Sequence, residues 1–358
     1  MTSKSQTAVV LPSVSKSFDT LVSHISEHGI DAEQVSENHI RFSHEGCVLD
    51  FSHDAQQLLV ELNAPSENML FFLKEAAASH IMDIDPVAGE NLVWSGSEAS
   101  ANPDGTPTNF SEFKLIDRKE VFPGIIRLTL CSETLSDFST DGLHVKLMRP
   151  STGCKSPIWP SVASNGMTIW PGGADKLHVR YFTIRHVRDE AGEIDIDVVQ
   201  HAGGKISDWA CSAEKGERIG IMGPGGGGIP RVSGELFLAG DETALPAIAR
   251  ILEELPAEQT GKVLTSAPSQ EVLRAYLPYS KMEFHAIEPS RFHAESAQVA
   301  AELYSDNTSP DYAWFGGEFS NANAMRKVFK EKFGLSKGEQ LSVSYWEMGK
   351  RGAADVIE

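Results

Sequence analysis

Cysteine is scarce in this sequence. Its four cysteines, Cys47, Cys131, Cys154 and Cys211, are far apart, and no Cys-x-x-Cys spacing occurs. This argues against a four-cysteine zinc or iron–sulfur site. We expect reduced, buried thiols of the kind found in cytoplasmic proteins.

Long apolar runs and excess positive charge are also missing. No stretch approaches the roughly 20 apolar residues that span a bilayer. Residues 1–18 lack the apolar core of a signal peptide, so we expect a cytoplasmic protein without membrane insertion. The net charge of −19 argues against a nucleic-acid partner and against docking on an anionic membrane.

The chain of 358 residues is too long for one core and predicts two or three domains. Residues 96–109, rich in Ser, Gly, Pro and Asp, are predicted to be a linker. Residues 1–95 are predicted to form a small α+β domain, with helices at 18–28 and 68–81 and strands within 39–51 and 57–62. We expect His44, Cys47 and His80 to be ordinary side chains and predict no metal site.

Short alternating strands between turn residues follow in residues 110–230 and predict an antiparallel β-barrel. A long loop is expected over residues 150–173. A helix is expected over 207–213, with Ser207 as its N-cap.

Residues 231–358 change to strand–helix alternation. Five apolar runs have the length of buried parallel strands, and helical patterns separate them. This predicts a doubly wound parallel sheet, whose ligands lie at the carboxyl ends of its strands. The predicted fold class is therefore multidomain α+β and α/β.

Residues 177–224 offer groups suited to a large anionic, aromatic cofactor. Arg180 offers a planar fork of donors for phosphate, and Tyr181 or Phe182 offers a flat ring. The glycines of Gly203-Gly204-Lys205-Ile206-Ser207 permit close approach to backbone amides. An ordinary barrel, in which Arg180 is ion-paired and the glycines only turn the chain, is the alternative.

The predicted parallel strands end in further candidate residues. The first is followed by Gly240-Asp241-Glu242-Thr243-Ala244-Leu245-Pro246, which lacks the Gly-x-Gly-x-x-Gly fingerprint and reads by itself as a well-capped helix start. The fourth ends in Gly317-Glu318, where Glu318 is either a ligand contact or a helix cap. The fifth ends in Tyr345-Trp346, which would either cover an aromatic cofactor or pack in the core.

These motifs, in this order, resemble the siderophore-interacting proteins, a branch of the ferredoxin-reductase-like flavoenzymes. The string Gly-Asp-Glu-Thr-Ala-Leu-Pro-Ala-Ile matches the family signature unaltered. Phe182 stands in the place of the family's Tyr, Ala202 replaces a Gly, and Lys205-Ile206 replace Pro-Ala. The N-terminal residues resemble a domain of unknown function that is found ahead of such proteins.

The resemblance implies that bound FAD accepts hydride from NADPH or NADH and passes electrons to a ferric siderophore, releasing ferrous iron. No side chain is expected to act as nucleophile or general base. A general flavin reductase serving a ferredoxin, and a flavin-carrying iron-chelate binding module without turnover, are the alternatives. The residues implied in cofactor binding are Arg180, Tyr181, Phe182, Thr183, Val198, Val199, His201, Gly203, Gly204, Lys205, Ile206, Ser207, Asp241, Glu242, Thr243, Ala244, Gly317, Glu318 and Trp346.

A basic pocket for an anionic siderophore is a further expectation from the resemblance. In so acidic a chain it must be a local cluster. The candidates near strand ends, each of which also fits a solvated surface charge, are Arg185, Arg188, Lys262, Lys281 and Arg291.

Overall fold

The structure is a computed structural model that describes residues 3–27, 32–44, 46–96, 101–102, 104–133, 138, 142–201, 203–225, 228–305 and 308–349. Ala202, residues 97–100 and 103 of the predicted linker, and the side chain of His44 lie outside this description. The chain forms two compact units. The first comprises Met1–Phe110 and Ser151–Leu177, and the second comprises Ser111–Pro150 and His178–Glu358.

The helices and strands are as follows, in chain order. Up to residue 169 they are β1 (Ser3–Val9), α1 (Val14–Glu27), β2 (Ala32–Ser36), β3 (His39–His44), β4 (Cys47–His53), β5 (Leu58–Ala64), α2 (Glu67–Ile84), α3 (Pro86–Glu90), β6 (Ser95–Gly96), β7 (Phe110–Phe122), β8 (Ile125–Cys131), β9 (His144–Arg149), β10 (Ser161–Val162) and β11 (Thr168–Ile169). From residue 178 they are β12 (His178–Arg188), β13 (Glu193–Val199), α4 (Lys205–Ser212), β14 (Arg218–Gly225), β15 (Leu236–Gly240), α5 (Leu245–Glu254), β16 (Gly261–Ser266), α6 (Gln270–Tyr276), β17 (Glu283–Ile287), α7 (Pro289–Glu302), β18 (Tyr312–Glu318), α8 (Phe319–Glu331) and β19 (Gln340–Trp346).

An antiparallel sheet with the strand order β2-β3-β4-β5-β1-β6 organises the first unit. Along β5 apolar side chains alternate with more exposed ones, so that Leu58, Val60 and Leu62 are buried on one face. Helices α1 and α2 contribute Leu21, Ile25, Ala77 and Ile81, among others, to the same core. This confirms the predicted helices and central strands of an α+β unit.

Strand β1 is a difference from the sequence prediction, which placed no strand there. Its inward positions are partly polar, and this hides the apolar alternation. The hydroxyls of Ser5 and Thr7 are buried and donate to the carbonyls of Ser95 and Val93, each at 2.9 Å. Ser95–Gly96 is thereby an edge strand of the sheet, although the sequence assigned Gly96 to the linker.

The segment of residues 151–177, expected as a loop of the barrel, packs within the first unit. It contains the short β10–β11 hairpin. Asn165 accepts a hydrogen bond from Trp94 Nε1 at 2.7 Å through its carbonyl and donates one to the Gly89 carbonyl at 3.0 Å. These bonds tie the segment to residues that follow α2.

The second unit begins with the predicted barrel. Its closed strand order is β12-β13-β8-β7-β14-β9. The interior is filled by alternating apolar side chains such as Leu128, Ile184, Ile196 and Ile221, and helix α4 adds Trp209 to this core. The barrel therefore confirms the antiparallel architecture expected from the short strands.

The parallel sheet of the second unit has the order β17-β16-β15-β18-β19. The order reverses direction between β15 and β18, which puts the carboxyl ends of these strands on either side of a switch point. Along the chain, one helix follows each of the strands β15 to β18, as predicted. The doubly wound fold is confirmed.

Barrel and sheet share a buried interface within this unit. Phe122, Ile125 and Leu143 of the barrel belong to the same core cluster as Leu245 and Ile248 of α5. Polar bonds cross it as well. The Tyr276 hydroxyl donates to Asp197 at 2.6 Å, and Arg250 donates to the Ile184 carbonyl at 3.1 Å.

The expectation of buried cysteines was wrong in part. Cys154 and Cys211 are exposed, and Cys47 and Cys131 are partly buried. Cys211 lies in the last turn of α4, on the side of the helix that faces away from the barrel core, and Cys154 lies in a turn of the segment 151–177.

Among the described residues, no helix is long and apolar enough to cross a membrane.

Candidate functional site

Strand β12 presents two different faces at the predicted cofactor site. Arg180 and Phe182 lie opposite Leu147 and Val145 of β9, whereas Tyr181 lies opposite Lys146. Side chains alternate along a strand and directly paired residues share a face. Arg180 and Phe182 therefore share the face of β12 that lines up with the buried Leu147 and Val145 of β9, while Tyr181 lies on the other face.

The two aromatic rings of this strand differ in environment. Phe182 is partly buried and packs against the barrel core. Tyr181 is 65% exposed, and the Lys146 ammonium lies 5.9 Å from its ring centroid. Either ring fitted the sequence pattern, and the shared face with Arg180 favours Phe182.

Thr183 is buried and points toward a histidine that the sequence did not single out. Its Oγ1 lies 3.4 Å from His144 Nδ1, and His144 Nε2 lies 3.2 Å from the Tyr345 hydroxyl. Burial and the nearby Arg250 guanidinium lower the pKa of His144 to about 4, so the imidazole is neutral at pH 7. Burial raises the pKa of Tyr345. This chain of contacts connects β12 and β9 of the barrel to β19 of the sheet.

The turn that begins at Gly203 leads directly into α4. Gly203 has φ +77, a left-handed conformation that favours glycine, and no heavy atom lies within 4 Å of the position a Cβ would take. Gly204 is the N-cap residue, and the first helical bond runs from Asp208 N–H to its carbonyl. The N–H groups of the first helical turn, which starts at Lys205, have no acceptor within the helix and face its N-terminal side.

The predicted N-cap role of Ser207 was wrong, because the helix begins two residues earlier, at Lys205. Ser207 is buried. Its hydroxyl accepts from the His201 N–H at 2.9 Å and donates to the His201 carbonyl at 3.2 Å. The side chain therefore closes the turn between β13 and α4.

The neighbouring predicted residues lie along the same path. Val198 is buried in the barrel core, and Val199 packs against the core shared with the sheet. Val198 thus leaves only its backbone atoms for a ligand, whereas the Val199 side chain is partly exposed. The exposed His201 ring lies against Gly204, where an added Cβ would come within 2.2 Å of the ring.

Asp241 joins the ends of three strands at the edge of the parallel sheet. It follows β15, and its buried carboxylate accepts hydrogen bonds from the Thr243 N–H and hydroxyl through Oδ1. Through Oδ2 it accepts from the Glu318 N–H at the end of β18 and from Trp346 Nε1 at the end of β19, each at 2.9 Å. Burial raises the pKa of this carboxyl group.

These four donors explain why an acidic residue stands at a strand end that lacks the glycine fingerprint. Gly317 has φ +155, and a Cβ there would come within 2.6 Å of the Asp241 carboxylate. Glycine is thus required for the close approach. Glu242 and Thr243 are partly exposed at the same edge, and Ala244 is buried in the core.

Glu318 is a helix cap, which was one of its two predicted roles. Its carboxylate accepts from the Ser320 hydroxyl, from the N–H groups of Ser320 and Asn321, and from the Met348 N–H at 3.2 Å. Burial opposes ionisation, but these hydrogen bonds lower the pKa of Glu318. The cap starts α8 at Phe319.

The aromatic pair at the end of β19 is held by specific polar contacts. Tyr345 contacts His144, with ring centroids 5.3 Å apart. Trp346 donates to Asp241 and lies edge-on to the His293 ring at 5.6 Å. Both rings are partly buried, so core packing and contact with a ligand edge are combined in these residues.

The five proposed siderophore-binding cations are all paired with carboxylates, which does not support a basic pocket built from them. Arg185 binds Glu253, and Arg188 binds Glu193 and Asp195. The remaining pairs are Lys262 with Glu283, Lys281 with Glu258, and Arg291 with Glu295.

Together these features fit a dinucleotide with a planar ring. Arg180 supplies a guanidinium, Phe182 supplies a flat face on the same side of β12, and the Gly203 turn supplies backbone amides ahead of α4. The sequence predicted these groups. It missed His144, whose role depends on cross-strand register and on a contact 201 residues along the chain.

Comparisons with known proteins point in the same direction. Residues 114–228 match the siderophore-interacting FAD-binding domain, and residues 234–349 match the siderophore-interacting protein domain. The chain is 27% identical over 246 residues to ferric vibriobactin reductase ViuB of Vibrio cholerae serotype O1, which covers 67% of this chain and 90% of that protein.

Two solved structures support the fold. The siderophore-interacting protein SipS from Aeromonas hydrophila aligns with a TM-score of 0.58 and 28% identity, covering 68% of this chain and 94% of that one. The ferredoxin reductase in carbazole 1,9a-dioxygenase aligns with a TM-score of 0.50 and 12% identity over 66% of this chain and 68% of that one, which shows a shared ferredoxin-reductase-like fold. Since the two domain matches follow the barrel and the sheet from residue 114 to residue 349, the chain belongs to the siderophore-interacting protein family.

Proposed function

We propose that the protein is an oxidoreductase that uses bound FAD and NADPH or NADH to reduce ferric iron held by a siderophore, releasing ferrous iron in the cytoplasm. The observation that carries the proposal is the common face of Arg180 and Phe182 on β12, in a chain whose residues 114–228 match a FAD-binding domain. The similarity to a ferric vibriobactin reductase supports the substrate class.

In this proposal the barrel binds the FAD. Arg180 pairs with the diphosphate, and the amides that follow Gly203 receive further phosphate oxygens at the start of α4. Phe182 packs against the ring system. Tyr181 lies on the opposite face, and the Thr183 hydroxyl lies against His144. When bound, the flavin accepts two electrons as a hydride and releases them singly.

The nicotinamide cofactor would bind at the carboxyl edge of the parallel sheet. The carboxylates of Asp241 and Glu318 already accept hydrogen bonds from protein donors, so their proposed role is to hold this edge in shape. Glu242 and Thr243 are the partly exposed side chains left to contact the cofactor. Trp346, fixed by Asp241, would form one wall.

The substrate's chemistry explains why reduction releases iron. Siderophore oxygen donors are hard ligands and prefer the hard ferric ion, so the ferrous complex is weaker. One NAD(P)H supplies two electrons and therefore serves two ferric chelates. The protein's contribution is placement of the electron donor and of the chelate.

An anaerobic assay tests the proposal. Purified holoprotein is mixed with NADPH or NADH and a ferric siderophore, and ferrous iron is trapped with a chromogenic chelator. We expect ferrous iron to form at a rate that depends on siderophore concentration. Flavin bleaching without iron reduction would contradict the proposal and favour a flavin reductase that serves a ferredoxin-like protein. If neither nicotinamide bleaches the flavin, a binding module without turnover is favoured.

A further inference from the structure

Helices α1 and α2 of the first unit bring two imidazoles and a carboxylate together. His24 lies in the last turn of α1, and His80 and Asp83 lie on α2. Residues three apart on a helix share a face, so His80 and Asp83 can both face the same neighbour. The sequence predicted no metal site in this region and did not connect His24 with His80.

The distances suit a common ion. His24 Nε2 lies 3.5 Å from Asp83 Oδ2, and the rings of His24 and His80 are 5.1 Å apart at 78°. One ligand atom from each of the three residues lies within 4.8 Å of the others. Two ligands on one tetrahedral zinc ion are about 3.3–3.5 Å apart, as follows from bond lengths of about 2.0–2.1 Å. The His24–Asp83 pair already has this spacing.

The surrounding packing holds the two helices in register. Leu21 and Ile25 flank His24 on α1, and Ala77 and Ile81 flank His80 on α2; all four are buried in the core of the first unit. The helix positions are therefore fixed by apolar contacts. His80 is the third ligand, and its ligand atom lies within 4.8 Å of those of His24 and Asp83.

We propose that His24, His80 and Asp83 form a binding site for one divalent first-row transition-metal ion such as Zn²⁺ or Fe²⁺. Two imidazoles and a carboxylate favour such ions over Mg²⁺ or Ca²⁺, which prefer all-oxygen sites. The side chains of His24 and Asp83 are 37% and 59% exposed, so the remaining coordination positions face solvent. The site lies in the first unit and does not depend on the proposed reductase activity.

Calorimetric titration of chelator-treated full-length holoprotein with Zn²⁺ tests the site. We expect one tight site in the wild-type protein. Each of three variants should lower the Zn²⁺ affinity by more than about 100-fold: His24→Ala, His80→Ala and Asp83→Asn. Loss of a residue that only hydrogen-bonds a metal ligand already lowers metal affinity about 10- to 100-fold, and loss of a ligand should cost more. The matched control is His39→Ala, which removes a histidine paired with Asp50 in the same unit and should leave the affinity unchanged.

A second measurement does not depend on how the variants fold. Electron paramagnetic resonance of wild-type protein loaded with one equivalent of Cu²⁺ should show coupling to two imidazole nitrogens. Equal Zn²⁺ affinity in the wild-type protein and all three variants, or a copper signal without two imidazoles, would overturn the proposal. His24 and Asp83 would then be a solvent-exposed ion pair beside a packed histidine.

Discussion

At the scale of single residues, Asp241 has the most connected role in the site. Its two carboxylate oxygens accept four hydrogen bonds from Thr243, Glu318 and Trp346. Asparagine in place of Asp241 keeps the shape of the side chain, but its amide N–H groups would face the donors of Thr243, Glu318 and Trp346. A buried group that loses its partner costs about 1–3 kcal/mol.

Asp241→Asn is therefore expected to lower the free energy of unfolding by about 1–3 kcal/mol. Denaturant titration of the holoprotein measures this loss. The matched control is Glu242→Gln, the neighbouring carboxylate, which is partly exposed and should change stability little. Equal stabilities of the two variants would show that the Asp241 contacts do not hold the strand ends together.

Arg180 allows a direct test of the flavin assignment. Loss of a hydrogen bond to a charged group costs about 1.5–3 kcal/mol, so Arg180→Ala should raise the flavin dissociation constant about 10- to 100-fold. Equilibrium dialysis followed by flavin absorbance measures it. Full flavin retention after dialysis would refute the assignment.

The two rings beside Arg180 should behave differently. Phe182→Leu keeps apolar volume against the barrel core but removes the flat face, so flavin binding should weaken. Tyr181→Leu, on the opposite face, is the control and should leave flavin binding unchanged. If Tyr181→Leu weakened flavin binding and Phe182→Leu did not, the ring system would lie on the Tyr181 side of β12.

Residue positions at the strand ends were predictable from the sequence, but their partners were not. Gly240-Asp241 follows an apolar run of strand length, so its place at the sheet edge could be expected. The donors that bind Asp241 come from Glu318 and Trp346, which are 77 and 105 residues away. Only the strand order β15-β18-β19 brings them together.

At the scale of elements, the turn between β13 and α4 depends on one buried hydroxyl. Ser207 holds both backbone groups of His201 and so fixes the start of the helix relative to the strand. We expect Ser207→Ala to lower stability by about 1–2 kcal/mol, since each net hydrogen bond contributes about 1 kcal/mol. Flavin affinity should fall as well, because the turn amides lose their fixed position.

The control for this substitution lies on the same helix. Ser212→Ala removes a hydroxyl that bonds the Asp208 carbonyl at the other, exposed end of α4. It should leave flavin affinity unchanged. If both variants bind flavin like the wild-type protein, the turn does not contribute to the cofactor site.

The contact between β12 and α5 should make stability depend on pH. The hydrogen bond to Asp195 and the Glu253 carboxylate, which lies 3.7 Å from Nε2, raise the pKa of His186. The folded protein therefore binds this proton more tightly than the unfolded chain, and the stabilisation is complete below pH 6.5 and lost as pH rises through the raised pKa. Glu253 has the opposite sign. Burial opposes its ionisation, but the nearby His186 and the hydrogen bonds from Arg185 lower its pKa to about 2, so its stabilisation is lost as pH falls from 4.5 to about 2.

Thermal unfolding measured from pH 2 to pH 9 tests this contact. The stabilisation by His186 and Glu253 should be greatest between pH 4.5 and pH 6.5. Glu253→Gln should reduce the loss of stability both below and above this range. Because the Glu253 side chain is 35% exposed, solvent screening limits the change to about 1 kcal/mol. An unchanged pH profile in the variant would contradict the assignment.

Elements with buried apolar runs were predicted well, and elements with buried polar residues were not. The five apolar runs predicted in residues 231–358 all form strands of the parallel sheet. Strand β1 was missed because Ser5 and Thr7 replace apolar side chains at inward positions. The segment 151–177 lacks apolar periodicity, so its hydrogen bonds to Gly89 and Trp94 had no signal in the sequence.

At the scale of the whole molecule, the net charge of −19 bears on how an anionic substrate reaches the site. Sequence alone predicted a local cationic cluster, but the five candidate side chains are paired with carboxylates. Lys146 beside Tyr181 and Arg149 near Trp209 are cations on the barrel strand β9. These cations act locally, whereas the net charge of −19 makes the long-range field of the chain repulsive to an anionic chelate.

This repulsion predicts an unusual salt dependence. The Debye length falls from about 30 Å at 0.01 M to about 8 Å at 0.15 M ionic strength, so added salt should screen the acidic surface. We expect the second-order rate constant for reoxidation of pre-reduced protein by an anionic ferric siderophore to rise severalfold over this range. Stopped-flow flavin absorbance measures it without NADPH, whose own charge would complicate the result. A neutral ferric chelate is the control and should show no salt dependence.

A rate constant that falls with salt for the anionic chelate would instead show that cations near β9 dominate the field at the site, and Lys146→Gln should then abolish that fall.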